Sequence, residues 1–263
     1  MTDDPDAPDL GSEHLITRVE AGVLHVRIDR TERRNSFTQD MYRGLKRAAV
    51  WADRTATIDA LCLTGTDEWF GAGGDMGGNS ADRETLAAEW DPTDHFPFRH
   101  FERCRKPIVT AVNGVCQAGG IDLVLYSDVS VASDRATFRV PELLRGAPDA
   151  WMSARLVHQV GLAKAKYLYF TAARFDAAEA EAMGLVGKVV PHAELDDHVA
   201  WVLEQIRLTG PVSRALVKAD INGRLPAPDA KMFAATIMSP EMVEGMSAFL
   251  DKRDPVWPRS HDA

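Results

Sequence analysis

Cysteine is scarce in this sequence: Cys62, Cys104 and Cys116 are the only three among 263 residues, and no two form a CxxC pair. An odd, scattered set suggests neither a disulfide framework nor a thiolate zinc site, and it fits a reducing cytoplasm. Runs of Lys and Arg are missing too. With 39 acidic against 30 basic side chains the formal net charge is -9, which argues against a nucleic-acid partner. No apolar run is long enough to span a bilayer, which argues against a membrane protein. The N-terminal MTDDPDAPDLGSEH is acidic where a secretory signal would be basic and then apolar. Residues 1–13 therefore read as a flexible acidic tail. There is no GxGxxG fingerprint, no phosphate loop ending in Lys-Ser/Thr, no internal repeat and no low-complexity segment.

What is present is ordinary for a globular fold: 45% hydrophobic and 26% charged residues, in a chain long enough to bury a large core. LITRVEAGVLHVRIDR alternates apolar and polar residues around Gly22 and predicts a hairpin. TQDMYRGLKRAAVWADR spaces Met41, Leu45 and Ala48 at helical intervals, with Asn35 or Ser36 as candidate caps. IDALCLTGT and KPIVTAVNG read as buried strands, so that strand, helix and strand in succession predict a parallel α/β sheet. DLVLYSD fits the first turns of a buried helix, and VSVASDRATFRV returns to strand-like alternation. From residue 151 the pattern turns helical, beginning with WMSARLVHQVGLAKAKYLYFTA.

Two glycine-containing turns follow strands: WFGAGGDM at 69–76 and NGVCQAGGID at 113–122. Glycine lets a ligand approach the main chain closely, and N–H groups at the start of a helix near Gly119 would point outward with partial positive charge. Two such turns side by side could offer two donors to one oxygen, the arrangement of an oxyanion hole. A lone Gly-Gly reads as a simple turn. The order is more specific: two glycine turns, an acid (Asp122) right behind the second, and another acid (Glu142) in VPELLRG. Elsewhere His158 and His192 lack a partner ligand, Ser127 and Ser153 lack a nucleophile-elbow context, and Met41, Met183 and Met246 read as packing residues. Cys104 and Cys116 read as small core groups.

GAGGDM, KPIVTAVNGVCQAGGIDLVLYSDVSVASDRATFRVPELLRG, FTAARFDAAEAEAMGLVGKVV and EGMSAFLDKRDPVW together resemble the enoyl-CoA hydratase/isomerase (crotonase) family, from about Leu15 to Trp257. The resemblance implies a crotonase-like α/β spiral of ββα units over residues 14–198 and a helical oligomerisation region over 199–263. It implies a homotrimer or dimer of trimers acting on an acyl-CoA thioester, with coenzyme A as part of the substrate and neither cofactor nor metal. Carried over by position, the backbone N–H groups of Gly74 and Gly119 bind the thioester oxygen, while Asp122 and Glu142 act on water and on Cα. Ala72, Gly73, Asp75, Arg33 and Lys252 fall at substrate-binding positions, with Arg34 and Arg253 beside the latter two. Asp75 also reads as a local structural contact.

The chain departs from the family pattern in three places. Asp122 stands where most hydratases have Glu, a carboxylate shorter by roughly 1.5 Å. The glycine-rich loop after PE becomes GAPDAWM, one residue shorter, which reshapes the acyl pocket with Trp151 and brings Asp149 near the place of a third acid found in dienoyl-CoA isomerases. Thr31 replaces a common proline. Hydration of a 2-enoyl-CoA is the leading expectation. A double-bond isomerase on the same fold and a catalytically weak acyl-CoA-binding protein are the alternatives. Trp90, Phe96 and Phe98 are candidates to line an acyl tunnel or to pack a helix.

Overall fold

The computed structural model describes residues 6–75, 96–229, 231–232, 236 and 239–258. Strands β1 (Leu15–Glu20) and β2 (Val23–Ile28) form the expected antiparallel hairpin, running from Leu15 opposite Ile28 to Glu20 opposite Val23. Helix α1 (Gln39–Arg54) follows, with Met41, Tyr42, Leu45, Ala48 and Ala52 on its buried face. Its cap is Thr38, whose hydroxyl accepts the Met41 N–H at 3.2 Å, rather than Asn35 or Ser36. Those two are engaged elsewhere: the Asn35 amide donates to the carbonyls of Ile28 and Trp69, and Ser36 accepts from Arg30.

From there the chain alternates between two sheets. Strand β3 (Ala60–Thr64) is followed by the short β4 (Trp69–Gly71). After helix α2 (Phe98–Arg103), β5 (Ile108–Val112) is followed by β6 (Val115–Gln117). After helix α3 (Gly119–Leu125), β7 (Val129–Ser133) is followed by β8 (Thr137–Arg139). The first strand of each pair joins a large sheet, and the second joins a small one. That alternation is the expected spiral of strand, strand and helix.

The helical stretch expected from residue 151 is more broken than its composition suggests. Helices α4 (Ala150–Val160) and α5 (Leu162–Thr171) are separate because Gly161, at φ +81, ends the first. Strand β9 (Arg174–Asp176), helix α6 (Ala177–Ala182) and strand β10 (Lys188–Val190) come next. Both strands are three residues long, too short for a period-two pattern to register. The large sheet runs β1-β2-β3-β5-β7-β10 and the small sheet β4-β6-β8-β9. All neighbours are parallel except β1 with β2 and β8 with β9.

Helices α7 (Leu195–Leu208), α8 (Pro211–Gly223) and α9 (Pro240–Leu250) complete the order. α7 lays Leu195, Val199, Val202 and Leu203 on Val109, Val131 and Val190. The opposite face of the large sheet joins the main core with α1 and the small sheet. Both faces are thus covered, which explains the unbroken apolar runs of β3 and β5. Lys218 ties α8 to the body, its Nζ donating to Asp128 Oδ2 at 2.7 Å and to the Lys106 carbonyl at 3.2 Å. α9 crosses the 3-10 turn Glu142–Arg145, with Gly245 against the Arg145 backbone and Gly146 against that of Glu241. Part of the expected N-terminal tail is held on the fold: Leu10 is buried, and its carbonyl accepts from Arg47 at 2.8 Å. Among the described residues no helix is long and apolar enough to cross a membrane.

Candidate active site

Three neighbouring strands of the small sheet run parallel, so their C-terminal ends lie side by side. β4 leads into Ala72, Gly73 and Gly74. β6 leads into Ala118 and Gly119, and β8 into Val140, Pro141 and Glu142. The carboxyl edge of a parallel sheet is where open α/β folds gather ligands.

The first turn is set by a single bridge between Phe37 and Gly74. Phe37 donates its N–H to the Gly73 carbonyl at 2.8 Å and accepts the Asp75 N–H at 2.9 Å. Because 73 and 75 bond to Phe37, the intervening Gly74 N–H points the other way. In the second turn Ala118 has φ 51, an unusual conformation for a residue with a Cβ, and it leads into α3 with Gly119 as first helical residue. The Ala118 carbonyl accepts from Ile121 and Asp122. Among the described residues neither the Gly74 nor the Gly119 N–H has a backbone acceptor. The two turns touch, as a Cβ built on Gly73 would come within 3.5 Å of the Gly119 nitrogen.

Asp122 sits one turn into α3, 1% exposed, with Oδ1 lacking a hydrogen-bond partner among the described residues. Glu142, 7% exposed, likewise has both carboxyl oxygens unpartnered. Asp149 joins them from the N-cap of α4, its Oδ1 accepting the N–H groups of Trp151 at 2.8 Å and Met152 at 2.9 Å. Burial raises its carboxyl above the ordinary aspartate range, while the Met152 N–H, a hydrogen bond with Asp122 and the Trp151 N–H favour the carboxylate in part. Burial first, then the Asp149 charge and hydrogen bond, then Glu142, push the Asp122 carboxyl well above the usual carboxylate range. Burial and then Asp149 do the same to Glu142. Two carboxylates in contact cannot both ionise, so Asp122 holds a proton and donates it to Asp149, whose charge the two backbone N–H groups favour.

The remaining sequence-expected residues divide into two groups. Asp75 forms an ion pair with Arg30 at 2.8 Å, and Arg30 also donates to Ser36, so this pair braces the first turn. Arg33, Arg34 and Lys252 are exposed, Arg34 lying over the Trp69 ring at 5.4 Å. No described contact brings Lys252 to the glycine turns. Arg253 is occupied by Glu244, at 2.6 and 3.0 Å, which lowers that carboxyl to about 2. His192, which lacks a partner ligand in the sequence, meets Ser133 Oγ at 3.0 Å, a structural contact. Trp151 and Phe98 are buried against each other and against Tyr126, and Trp90 lies outside the described residues.

Asn35 and Tyr42 belong to the surroundings of the site without having stood out in the sequence. Asn35 accepts the Arg30 N–H while donating to Trp69, which locks the loop ahead of the first turn. Its one advance signal is that Asn tolerates the positive φ, here 52, that this loop requires. Tyr42 carried no signal, because an aromatic at helical spacing reads as core.

A family model described as Enoyl-CoA hydratase/isomerase matches residues 18–260. A crotonyl-CoA hydratase of Syntrophomonas wolfei is 31% identical over 250 residues, covering 92% of this chain and 96% of that protein. A probable mitochondrial enoyl-CoA hydratase of Dictyostelium discoideum is 28% identical, covering 92% and 89%. Among solved structures, an enoyl-CoA hydratase/isomerase of Pseudoalteromonas atlantica superposes with TM-score 0.82 at 28% identity, covering 94% of this chain and all of that one, 100%.

Proposed function

The chain belongs to the enoyl-CoA hydratase/isomerase family, and from that premise we propose that it adds water across the Cα–Cβ double bond of a 2-enoyl-CoA. It is an enzyme of that family, and its relatives include named enoyl-CoA and crotonyl-CoA hydratases. The observation that carries the assignment of parts is that the strand ends bearing two outward N–H groups, at Gly74 and Gly119, also lead to the buried, unpartnered carboxyls of Asp122 and Glu142, with Asp149 joined to Asp122.

In this reading the thioester oxygen lies between the two N–H donors, which bind it more tightly as it gains enolate charge. Asp122 Oδ1 orients a water beside Cβ. The water oxygen bonds to Cβ, and its proton passes to the singly protonated Asp122–Asp149 pair. Glu142, kept neutral by burial, delivers its proton to Cα, and return of one proton to Glu142 restores the site. Water is the only reactant besides the thioester, and coenzyme A enters as part of the substrate. Ala72, Gly73 and Asp75 shape the first turn around the thioester, while Arg33 and Lys252 meet the phosphates of coenzyme A.

The test is hydration of crotonyl-CoA, followed by loss of conjugated absorbance. Wild type is expected to turn over, and Glu142→Gln to lose about a hundredfold or more in kcat with a retained fold. Absence of hydration at every acyl length tried would overturn the reading. One observation favours a second reaction at the same site: Asp149 adds a third carboxyl able to move protons further along a conjugated chain. A shift of absorbance with a 3,5-dienoyl-CoA, lost in Asp149→Asn, would identify it.

The enzyme acts in the cytoplasm as a homotrimer or dimer of trimers, assembled through residues 199–263. Support for assembly comes from the apolar side chains that α7 and α8 leave outward, Leu208, Val212, Leu216 and Ile221 among them.

A further inference from the structure

Tyr42 projects from α1 into the space over both glycine turns. A side chain on Gly119 would collide with its hydroxyl, and a Cβ built on Gly74 would lie 3.9 Å from it. The residue is 5% exposed, and its hydroxyl has no hydrogen-bond partner among the described residues, yet it is not one of the buried unpartnered atoms and so remains open to the space above the turns. A phenol held there offers an O–H donor to whatever enters the space above the turns. A Phe would fill the same volume without that donor. The ring itself is packed against Phe37 at 5.3 Å, Phe96 at 5.0 Å and Phe98 at 6.4 Å, which holds the hydroxyl over the turns.

We infer that the Tyr42 hydroxyl is a third hydrogen-bond donor to the thioester oxygen, completing the pair of backbone donors at Gly74 and Gly119. The inference rests on the thioester reading above and adds a side chain to a site otherwise built from main chain. Burial, followed by the neighbouring carboxyl groups of Asp122, Asp149 and Glu142, raises the ionisation of this phenol well above its ordinary range, so it keeps its proton. A neutral donor gains most when charge appears on its acceptor, so its effect falls on the enolate rather than on the bound substrate.

The experiment compares wild type with Tyr42→Phe in two measurements. The first is the fraction of enolate formed by bound acetoacetyl-CoA, a β-keto thioester whose ionised form absorbs in the near ultraviolet. The second is turnover of crotonyl-CoA. The expected result is about a tenfold or greater loss of enolate and of kcat in the variant, with KM changed by less than about threefold. A folded variant whose enolate fraction stays within about twofold of wild type overturns the inference, even if its kcat falls, because a merely structural tyrosine would leave that ionisation unmoved. Should Tyr42→Phe not fold, fluorotyrosine at position 42, a more acidic phenol of nearly the same shape, must increase the enolate fraction, and no increase overturns the inference. A wild-type enzyme that fails to bind acetoacetyl-CoA and crotonyl-CoA overturns the thioester reading itself.

Discussion

Burial, reinforced by Asp149, keeps the Asp122 carboxyl protonated above the ordinary aspartate value of 3.8. The folded protein therefore binds a proton that the unfolded chain releases. Stability from this group is complete below that ordinary value and is lost as pH rises through the raised, folded-state one. Asp122→Asn should accordingly have opposite effects on stability and activity. An amide can still donate to the Asp149 carboxylate and has no proton to lose, so at neutral pH the variant should gain about 1 kcal/mol, or about 2–4 °C in Tm. Its Tm should also vary less with pH across that window, and turnover should fall at least about a hundredfold. Calorimetry across pH, paired with crotonyl-CoA assays, checks both. Asp122 and Glu142 stood out in the sequence because each follows a glycine turn or a proline at the end of a strand. The pairing with Asp149 did not, since no spacing rule says that an N-cap carboxyl reaches back to α3.

Backbone-to-backbone crossings decide how the elements hold the site, and α9 against the Glu142–Arg145 turn is the clearest case. In an isolated helix Gly245→Ala would add about 1 kcal/mol of propensity. Here the new methyl meets the Arg145 backbone, which cannot rotate aside, and overpacking of about 1–3 kcal/mol outweighs the gain. Chemical denaturation should show a net loss of stability, and assays should show lower kcat, because the displaced turn carries Glu142. The order of the long elements was legible: the hairpin follows from alternation of apolar and polar residues, α1 from helical spacing, and β3, β5 and the buried α3 from apolar runs. Element ends were less so. Thr38 replaced Asn35 and Ser36 as cap because those side chains are claimed by contacts with Trp69 and Arg30, distant in sequence or specific to the loop. The strands β9 and β10 gain their structure from pairing with β8 and β7, and three residues carry too little pattern to announce it.

For the molecule as a whole, α8 presents two unlike sides. Lys218 anchors it inward, while Leu216 is 66% and Val212 72% exposed. An exposed Leu contributes little to a monomer, so Leu216→Asp should leave intrinsic stability within about 0.5 kcal/mol while lowering the mass found by light scattering if this face joins subunits. An unchanged mass would remove α8 from the assembly. At this scale the sequence predicted a strand-rich first part and helical later part, but not that β10 returns to complete the large sheet after α6. The strand ends of the small sheet carry one more implication. Substrate carbonyl binding is assigned to peptide groups at Gly74 and Gly119, which no side-chain exchange elsewhere deletes, whereas proton transfer is assigned to three replaceable carboxyls. On that assignment, successive mutations could erase or redirect the reaction while the backbone grip on a carbonyl survives, with enolate chemistry kept as a starting point and only the route of the protons changed.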